Sequence, residues 1–305
     1  MPHRQLYLKS AKKLSFANEQ LVVSKDNAEP LTFPLEDFDL IFVEDPNAVV
    51  TINLLSKMAE IGCSMIVCGR DYLPKAQVLP FNNYYLQSQI VNLQLGLLPS
   101  KKKKLWEMIV RQKIKNQLTV LETVSVDQKA IAQVKSFLQS IKPGDESNME
   151  AVAARVYFQT LFGNDFVRFS DTLVSTSLNY GYSIIASQVI RNIAFNGLLD
   201  NLGIWHASNS NNYNLSYDLI EPFRQVVDMF VYKNVKNLSS PLSHEIKIGL
   251  INLLNEKVVI DGNSYKISYA IGITVNSFIQ YMKSGDIKDI KLPIFEISQE
   301  NESEL

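Results

Sequence analysis

The chain has 305 residues, of which 46% are hydrophobic and 20% are charged, and its formal net charge is −1. This length favours two domains, and the composition is typical of a globular protein that can bury a core. The near-neutral charge excludes a globally basic nucleic-acid-binding protein, so any DNA contact has to come from a local basic patch.

Residues 1–80 have the pattern of a small β-sheet domain. Short apolar or alternating segments, separated by turn residues, predict strands at residues 6–8, 14–16, 21–23, 31–33 and 40–43. The apolar period of residues 52–61 predicts one helix, and residues 63–68 predict another buried strand. The N-terminal quarter is therefore predicted to be β-rich.

Neither secretion nor membrane insertion is indicated by the sequence. The N-terminus lacks the apolar core of a signal peptide, and no apolar run reaches the length of a membrane span. Cys63 and Cys68 fit neither a zinc site nor a redox pair, so we expect two buried free thiols in a reducing compartment. These observations together predict a cytoplasmic protein that has no contact with a membrane.

Residues 81–295 have the pattern of a larger all-α domain. Apolar residues recur with helical period, which predicts helices at residues 110–121, 131–141, 149–162, 180–195, 215–232, 244–254 and 271–282. A hairpin is predicted around the Asp261-Gly262 turn. Residues 296–305 are polar and acidic and are predicted to form a disordered tail. The predicted fold class is α+β, with the small β-sheet domain first and the helical domain after it.

One strongly basic block lies at the start of the helical region. Its members are Lys101, Lys102, Lys103, Lys104, Arg111, Lys113 and Lys115. A charge run beside a helix is most often solvated surface. The alternative is a ridge that contacts phosphates, and this block is the best local source of the positive charge that DNA binding requires.

An apolar run that ends at His206 precedes a segment with charged residues at intervals of three. Asp218, Glu221 and Arg224 would lie on one face of a helix, one turn apart. Two carboxylates and a nearby imidazole are plausible ligands for Mg²⁺ or Mn²⁺. A solvated helix face held by ion pairs explains the same spacing, so the pattern alone leaves both interpretations open. Pro222 predicts a kink inside this helix.

Glu150 is the candidate acid of the middle of the chain. Ser147 stands three residues before it, which predicts a capping box in which the Glu150 side chain reaches back to the Ser147 amide. That structural role is sufficient to explain the residue. The local pattern therefore does not decide whether Glu150 also takes part in chemistry.

Four segments, at residues 148–158, 179–183, 197–206 and 215–224, occur in the order of a known family. They are Asn148-x-Glu150-Ala-x-Ala-Ala-Arg155-x-Tyr157-Phe158, Asn179-Tyr-Gly-Tyr-Ser183, Gly197-Leu-Leu-Asp-x-x-Gly203-Ile-x-His206 and Leu215-x-x-Asp218-Leu-Ile-Glu221-Pro-Phe-Arg224. This arrangement closely resembles the CRISPR-associated spacer-acquisition integrase, the universal nuclease-like subunit of CRISPR adaptation. Residues 98–106 and 113–117 resemble the members from type II systems.

The resemblance implies a metal-dependent DNA integrase and endonuclease. In that family a 3′-hydroxyl of a captured DNA fragment attacks a phosphodiester at the CRISPR repeat boundary. The implied catalytic residues and metal ligands are Glu150, His206 and Glu221, with Asp218 as an accessory ligand or supporting carboxylate of a Mg²⁺ or Mn²⁺ site. The residues expected to contact DNA are Lys101, Lys102, Lys103, Lys104, Arg111, Lys115, Arg155 and Arg224. Arg155 and Arg224 are alternatively expected to pair with the acids of the site.

The resemblance also implies partners. We expect double-stranded DNA, both the captured fragment and the repeat, and a homodimer formed through edge strands of the β domain. A small dimeric CRISPR-associated adaptation protein is expected to complete a larger complex. A non-catalytic DNA-binding scaffold with the same fold is the alternative, but it predicts disruption of the acid and histidine positions, which are all present. A di-iron helical protein needs glutamate three residues before a histidine, and none of His3, His206 and His244 has one.

Overall fold

A computed structural model describes residues 4–80, 84, 86–124 and 127–296. It divides into two compact units, Met1–Gln87 with Ile190–Leu198 and Ser88–Val189 with Leu199–Leu305. Strands dominate the N-terminal part and helices the C-terminal part, so the predicted α+β class is confirmed. The predicted acidic tail lies outside the described residues apart from residue 296. No helix in the described part of the chain is both long and apolar enough to span a bilayer.

The first unit contains two four-stranded sheets. In chain order its elements are β1 (Arg4–Leu8), β2 (Lys13–Ala17), β3 (Gln20–Ser24), β4 (Leu31–Pro34), β5 (Phe38–Val43), β6 (Val49–Val50), α1 (Ile52–Ile61), β7 (Ser64–Cys68) and β8 (Pro74–Val78). The strand orders are β1-β5-β7-β8 and β4-β3-β2-β6. Strands β6 and β8 were not predicted from the sequence, because β6 has only two residues and β8 begins with a proline, which is unfavourable inside strands.

Strand β5 is the centre of the first sheet, and all six of its residues are buried. It pairs in parallel with both β1 and β7. Strands covered on both faces are mostly apolar, as β5 is at every position except Asp39. Helix α1 begins after Thr51, whose hydroxyl accepts from the Leu54 amide at 3.4 Å, and ends at Gly62 with a φ of 79°. Cys63 and Cys68 are buried and form no disulfide with each other, as predicted.

The second unit is mostly helical. Its elements are α2 (Gln87–Leu95), α3 (Pro99–Thr123), α4 (Gln128–Ser140), α5 (Met149–Phe162), α6 (Leu173–Phe195), α7 (Asn214–Ile220), α8 (Arg224–Lys233), α9 (His244–Asn252), β9 (Lys257–Ile260), β10 (Asn263–Lys266) and α10 (Ile267–Ser284). Helix α5 has the predicted bounds. Helix α6 begins seven residues earlier than predicted, and its residues from Ile190 onward belong to the first unit. Helix α2 was not predicted. The hairpin β9–β10 forms at the predicted Asp261-Gly262 turn.

Helix α3 runs through the second unit and contacts α4, α5, α7 and α8. Its 25 residues include apolar side chains that are fully buried, Leu105, Ile109 and Val110 among them. The second half of the helix also buries the polar residues Lys113, Asn116 and Gln117. Because buried polar groups require partners, this stretch of α3 marks the place where other segments of the unit converge.

Candidate active site

Glu221 lies at a break between two helices. Residues Glu221–Phe223 form a 3-10 turn that separates α7 from α8. Pro222 has no amide hydrogen and crowds the preceding turn, so an uninterrupted α-helix is disfavoured here and the predicted kink is confirmed. Asn116 Nδ2 donates to the Pro222 carbonyl at 2.7 Å, which ties the break to α3. The break places Glu221 in the interior, where it is 4% exposed.

The Glu150 side chain is not used in a helix cap. The predicted capping box with Ser147 is wrong, because the two oxygens of Asp145 accept from the amides of Met149 and Glu150 at 2.9 and 2.8 Å. One carboxylate satisfies two unpaired amides at once, and its negative charge is favourable at a helix N-terminus. Asn148, which directly precedes α5, makes no side-chain cap. The Glu150 carboxylate is therefore available for contacts with other helices.

Lys113 of α3 joins the two predicted acids. Its ammonium pairs with Glu150 Oε1 and also lies 2.5 Å from Glu221 Oε2. The other oxygen of Glu221 accepts from Arg224 Nε at 3.0 Å. The contact with Oε2 is an ion pair without hydrogen-bond geometry, so this buried oxygen retains unused acceptor capacity. Three separate segments of the second unit thus bring two carboxylates onto one cation.

The charges of this cluster stabilise one another. Burial by itself would lower the pKa of the Lys113 ammonium, but attraction to Glu221 and Glu150 outweighs burial and raises the pKa. Burial would likewise raise the pKa of Glu221, whereas Arg224 and Lys113 hold the pKa of that carboxyl well below its usual range. Lys113, Arg224 and Glu221 are therefore all charged at neutral pH, and the partly exposed carboxylate of Glu150 lies against the Lys113 ammonium.

His206 is held by Asp218, which is fully buried. Asp218 Oδ2 accepts from the amides of Ile204 and Trp205 at 2.5 and 3.0 Å. Asp218 Oδ1 accepts from the His206 amide at 3.1 Å and lies 2.7 Å from His206 Nδ1. A carboxylate only accepts, so Nδ1 carries a proton and Nε2 is the nitrogen left for another contact.

These contacts define the role of Asp218. Its four acceptor positions are occupied, so this geometry leaves it no lone pair for a cation and disfavours the accessory-ligand interpretation. The hydrogen bond to Asp218 raises the pKa of His206, and burial opposes that rise. Asp218 orients the imidazole and fixes which nitrogen carries the proton, as carboxylate partners of ligating histidines do.

The loop that carries His206 is also held by α3. Trp106 stacks on Trp205 with ring centroids 6.0 Å apart and planes at 7°. The same Trp106 ring makes an edge contact with His206 at 5.6 Å. Lys102 Nζ donates to the Gly203 carbonyl at 3.0 Å. Helix α3 thus supplies both the lysine between the two acids and the surface on which the histidine loop rests.

A cleft of about 690 Å³ in the second unit brings the predicted catalytic residues together. Glu150, His206 and Glu221 all line it, together with Arg155 and Arg224. Among the described residues, no three His, Cys, Asp or Glu side chains are arranged to hold a metal ion. Glu150 and Glu221 contact Lys113 instead. Arg224 pairs with Glu221, one of the two roles predicted for it. Arg155 is exposed and has no ion pair within the described part of the chain.

The aromatic ring of Tyr182 lies on the far side of Arg224 in the same cleft. The Arg224 and Arg168 guanidinium groups lie over this ring at 4.5 and 5.0 Å from its centroid. The Tyr182 hydroxyl donates to buried Asp228, and Tyr157 donates to the other oxygen at 3.0 Å. Burial raises the pKa of Asp228 to about 6, although both tyrosine hydroxyls oppose that rise. Asp228 therefore fixes the ring that supports two arginines of the cleft.

The basic block does not form a uniform ridge. Arg111 donates to the carbonyls of Leu138 and Ile141 at 2.5 and 2.7 Å, and it pairs with Glu107. Arg111 thereby holds the C-terminal end of α4, which favours a structural role, and DNA contact by this residue stays a prediction. Lys103 pairs with exposed Glu146 at 2.9 Å.

The remaining lysines of the block differ in their exposure. Lys101 and Lys102 are half-buried, whereas Lys104 and Lys115 are exposed and have no ion pair among the residues that the structure describes. Positions that are 11 residues apart lie on nearly the same helix face. Lys104 and Lys115 therefore form the part of the block that is most accessible to a phosphate backbone.

Sequence reasoning missed the role of Lys113, which it assigned to the surface block. A signal was present, because Lys113 follows Val110 by three residues and Ile109 by four, so it lies on the apolar face of α3. A charge on a buried helix face requires a partner charge. Trp106 and Asp228 gave no comparable signal, since an aromatic residue and an acid in an amphipathic helix have many ordinary roles.

Comparisons with known proteins place the chain among CRISPR-associated relatives. The family model for "CRISPR associated protein Cas1" matches residues 6–245. The CRISPR-associated endonuclease Cas1 of Neisseria meningitidis serogroup C (strain 8013) is 36% identical over 295 residues, which cover 96% of each chain. A casposase bound to integration product shares the fold, with a TM-score of 0.75, 20% identity and coverage of 93% of this chain and 92% of that one. A Cas6-RT-Cas1–Cas2 complex also matches, with a TM-score of 0.71, 15% identity and coverage of 95% and 36%.

The fold and the matched relatives define a CRISPR-associated protein. The family match covers most of the chain and the Neisseria relative nearly all of it. This chain therefore belongs to the Cas1 family, which confirms the family resemblance drawn from the four sequence segments. The assignment to a type II system stays a prediction.

Proposed function

We propose that this chain is a metal-dependent DNA integrase and endonuclease that inserts captured DNA fragments into a CRISPR array. The observation that carries the proposal is the convergence of Glu150 and Glu221 on one cation, in a cleft that His206 also lines. These three residues are the catalytic set implied by the family resemblance. The relative from Neisseria is described as an endonuclease, and the casposase structure holds an integration product.

The side chains of the cleft suit a divalent cation. An ammonium already occupies the space between the two acids, and Glu221 Oε2 is buried without a hydrogen-bond partner among the described residues. Carboxylate oxygens and one imidazole nitrogen are ligands that Mn²⁺ accepts, and Mg²⁺ prefers the oxygens. Glu150, His206 and Glu221 would hold the ion, with Nε2 of His206 as the ligating nitrogen. His206 has to lose any proton on Nε2 to become a ligand, so acid weakens binding of the ion.

The rest of the chemistry falls to the residues of the chain. An ion held by Glu150, His206 and Glu221 would supply the positive charge that lowers the pKa of the attacking 3′-hydroxyl and stabilises the charge on the non-bridging phosphate oxygens. Asp218 keeps the imidazole oriented, and Arg224 keeps the Glu221 carboxylate ionised and in place. Arg155 is exposed in the cleft, and its guanidinium, which pairs with no acid of the described chain, is available to a phosphodiester.

Strand transfer on a branched DNA substrate with Mg²⁺ or Mn²⁺ tests the proposal. Glu150→Gln and His206→Ala are each expected to reduce the rate by at least about 100-fold, the order of loss when a charge-stabilising group is removed. Glu146→Gln is the matched control, because Glu146 is an exposed acid outside the cleft. Wild-type levels of strand transfer by both site variants would refute the assignment. Binding of DNA without any strand transfer by the wild type would favour the non-catalytic scaffold.

Partners and assembly follow from the same proposal. The expected partners are double-stranded DNA, a second copy of this chain and a small dimeric CRISPR-associated adaptation protein. Cas2 in the matched Cas6-RT-Cas1–Cas2 complex supports the last of these. Resemblance at residues 98–117 supports a type II system.

The β-rich domain, residues 1–80, is proposed as the dimerisation element, and residues 81–295 as the catalytic domain. Strand β4 lies at the edge of its sheet and exposes Leu31, which supports pairing with another chain. Sedimentation of the full chain is expected to show a dimer. A strict monomer at micromolar concentration would count against this assembly.

A further inference from the structure

Lys113 occupies the space that the proposed function assigns to a divalent cation. Its side chain is 8% exposed, and its ammonium touches both Glu150 and Glu221. With Arg224 on the other oxygen of Glu221, the group contains two positive and two negative charges. A divalent cation that joined this group without displacing Lys113 would give it a net positive charge.

A divalent cation and the Lys113 ammonium exclude each other from this space. Ligating oxygens lie about 2.0–2.2 Å from Mg²⁺ or Mn²⁺, and Lys113 Nζ already lies 2.5 Å from Glu221 Oε2. Two cations on the same pair of carboxylates would leave excess positive charge in a partly buried site, which is unfavourable. One of them has to leave before the other can bind.

The ammonium also has a positive role. Glu150 belongs to α5 and Glu221 to the break between α7 and α8. Without a cation between them, the buried carboxylate of Glu221 and the partly exposed carboxylate of Glu150 would repel each other. Lys113, from a third segment, contacts both carboxylates and so keeps them on one shared cation.

We propose that Lys113 is a built-in substitute cation, which holds Glu150 and Glu221 together in the metal-free protein and competes with the divalent ion for them. The inference rests on the proposed function, since it assumes that these acids bind the metal. Lys113 is a positioning residue, and it sets how tightly the site binds its ion.

Mn²⁺ titration of the full chain, followed by electron paramagnetic resonance, tests the competition without any DNA. Lys113→Met is expected to bind Mn²⁺ at least 10-fold more tightly than the wild type, because the competing charge is gone. Without metal, Lys113→Met should have a lower melting temperature than the wild type, and addition of Mn²⁺ should raise its melting temperature by more. Lys135→Met, an exposed lysine of α4, is the control and should match the wild type.

A lysine with a merely structural role would give the opposite result. Equal or weaker Mn²⁺ binding by folded Lys113→Met would overturn the proposal. If that variant does not fold, the wild type decides: the ¹³Cε resonance of Lys113 should shift when Mg²⁺ is added, and an unchanged resonance would overturn the proposal. Loss of Mn²⁺ binding in Glu150→Gln together with an unaltered affinity in Lys113→Met would keep the metal site and reject the competition. Unaltered Mn²⁺ binding in Glu150→Gln would reject the metal site itself.

Discussion

Replacing Asp218 by asparagine tests how the histidine is positioned. Asp218 accepts from three backbone amides and from His206 Nδ1. An asparagine has one acceptor oxygen, and its amide group presents hydrogens where the other oxygen stood. If that amide faces His206, Nδ1 has to accept and the imidazole proton moves to Nε2. The nitrogen that faces the cleft then becomes a donor and can no longer bind a cation.

The size of the effect follows from the hydrogen bonds that the substitution removes. If the asparagine amide takes the place of Oδ2, two hydrogen bonds to a buried carboxylate are lost, each of which contributes about 1.5–3 kcal/mol; if it faces His206, the bond from the His206 amide is lost and the contact with Nδ1 is reversed. We therefore expect Asp218→Asn to lower the free energy of unfolding by about 1.5–6 kcal/mol. Partners that orient a ligating histidine contribute about 10–100-fold to metal affinity, so Mn²⁺ binding should weaken by that factor.

Asp200→Asn separates loss of stability from loss of orientation. Asp200 accepts from the amide and the hydroxyl of Ser216 at 2.7 and 2.6 Å, and these bonds do not involve His206. Urea unfolding should show both variants destabilised, whereas Mn²⁺ titration and strand transfer should change strongly only for Asp218→Asn. Wild-type Mn²⁺ affinity and strand transfer in folded Asp218→Asn would refute the claim that this carboxylate selects the histidine tautomer.

Three further predictions concern the surrounding network. Asp228 binds a proton more readily in the folded state, because its pKa is about 6 there against an ordinary value of 3.8. Its contribution to the free energy of unfolding therefore falls as the pH rises from about 4 to 6. At 1.36 kcal/mol per pKa unit, the loss is at most about 3 kcal/mol. Asp228→Asn should lack this dependence in urea unfolding at pH 4–7, and identical pH dependence in both proteins would contradict the assignment. Arg111→Ala should lower the free energy of unfolding by about 2–3 kcal/mol, because two carbonyls at the end of α4 lose their donor. Weaker DNA binding at unaltered stability would contradict this structural role and assign Arg111 to the DNA interface. Lys104→Gln with Lys115→Gln should reduce the slope of log affinity for DNA against log salt by about 2, and an unchanged slope would identify these lysines as solvated surface.

The sequence by itself determined the features that depend on neighbouring residues. Apolar periodicity located α5 at its observed bounds and most strands of the first unit. The missing amide of Pro222 located the helix break, and the Asp261-Gly262 pair located the hairpin. These predictions succeed because dihedral preferences and hydrogen bonds within one or two turns decide them. The four ordered segments identified the family, because their residue types and spacings match those of the family in the same order.

Only the tertiary structure decided which polar side chain meets which. Lys113 belongs to a basic block in the sequence, yet packing places its ammonium against Glu150, 37 residues away. Asp145 replaces Ser147 as the cap of α5, because a tight turn brings a carboxylate to two amides. Asp218 holds His206 through contacts with the folded loop. The physical reason is that a buried charge is stable only beside its partners, and the partners are chosen by packing of helices that are distant in the chain.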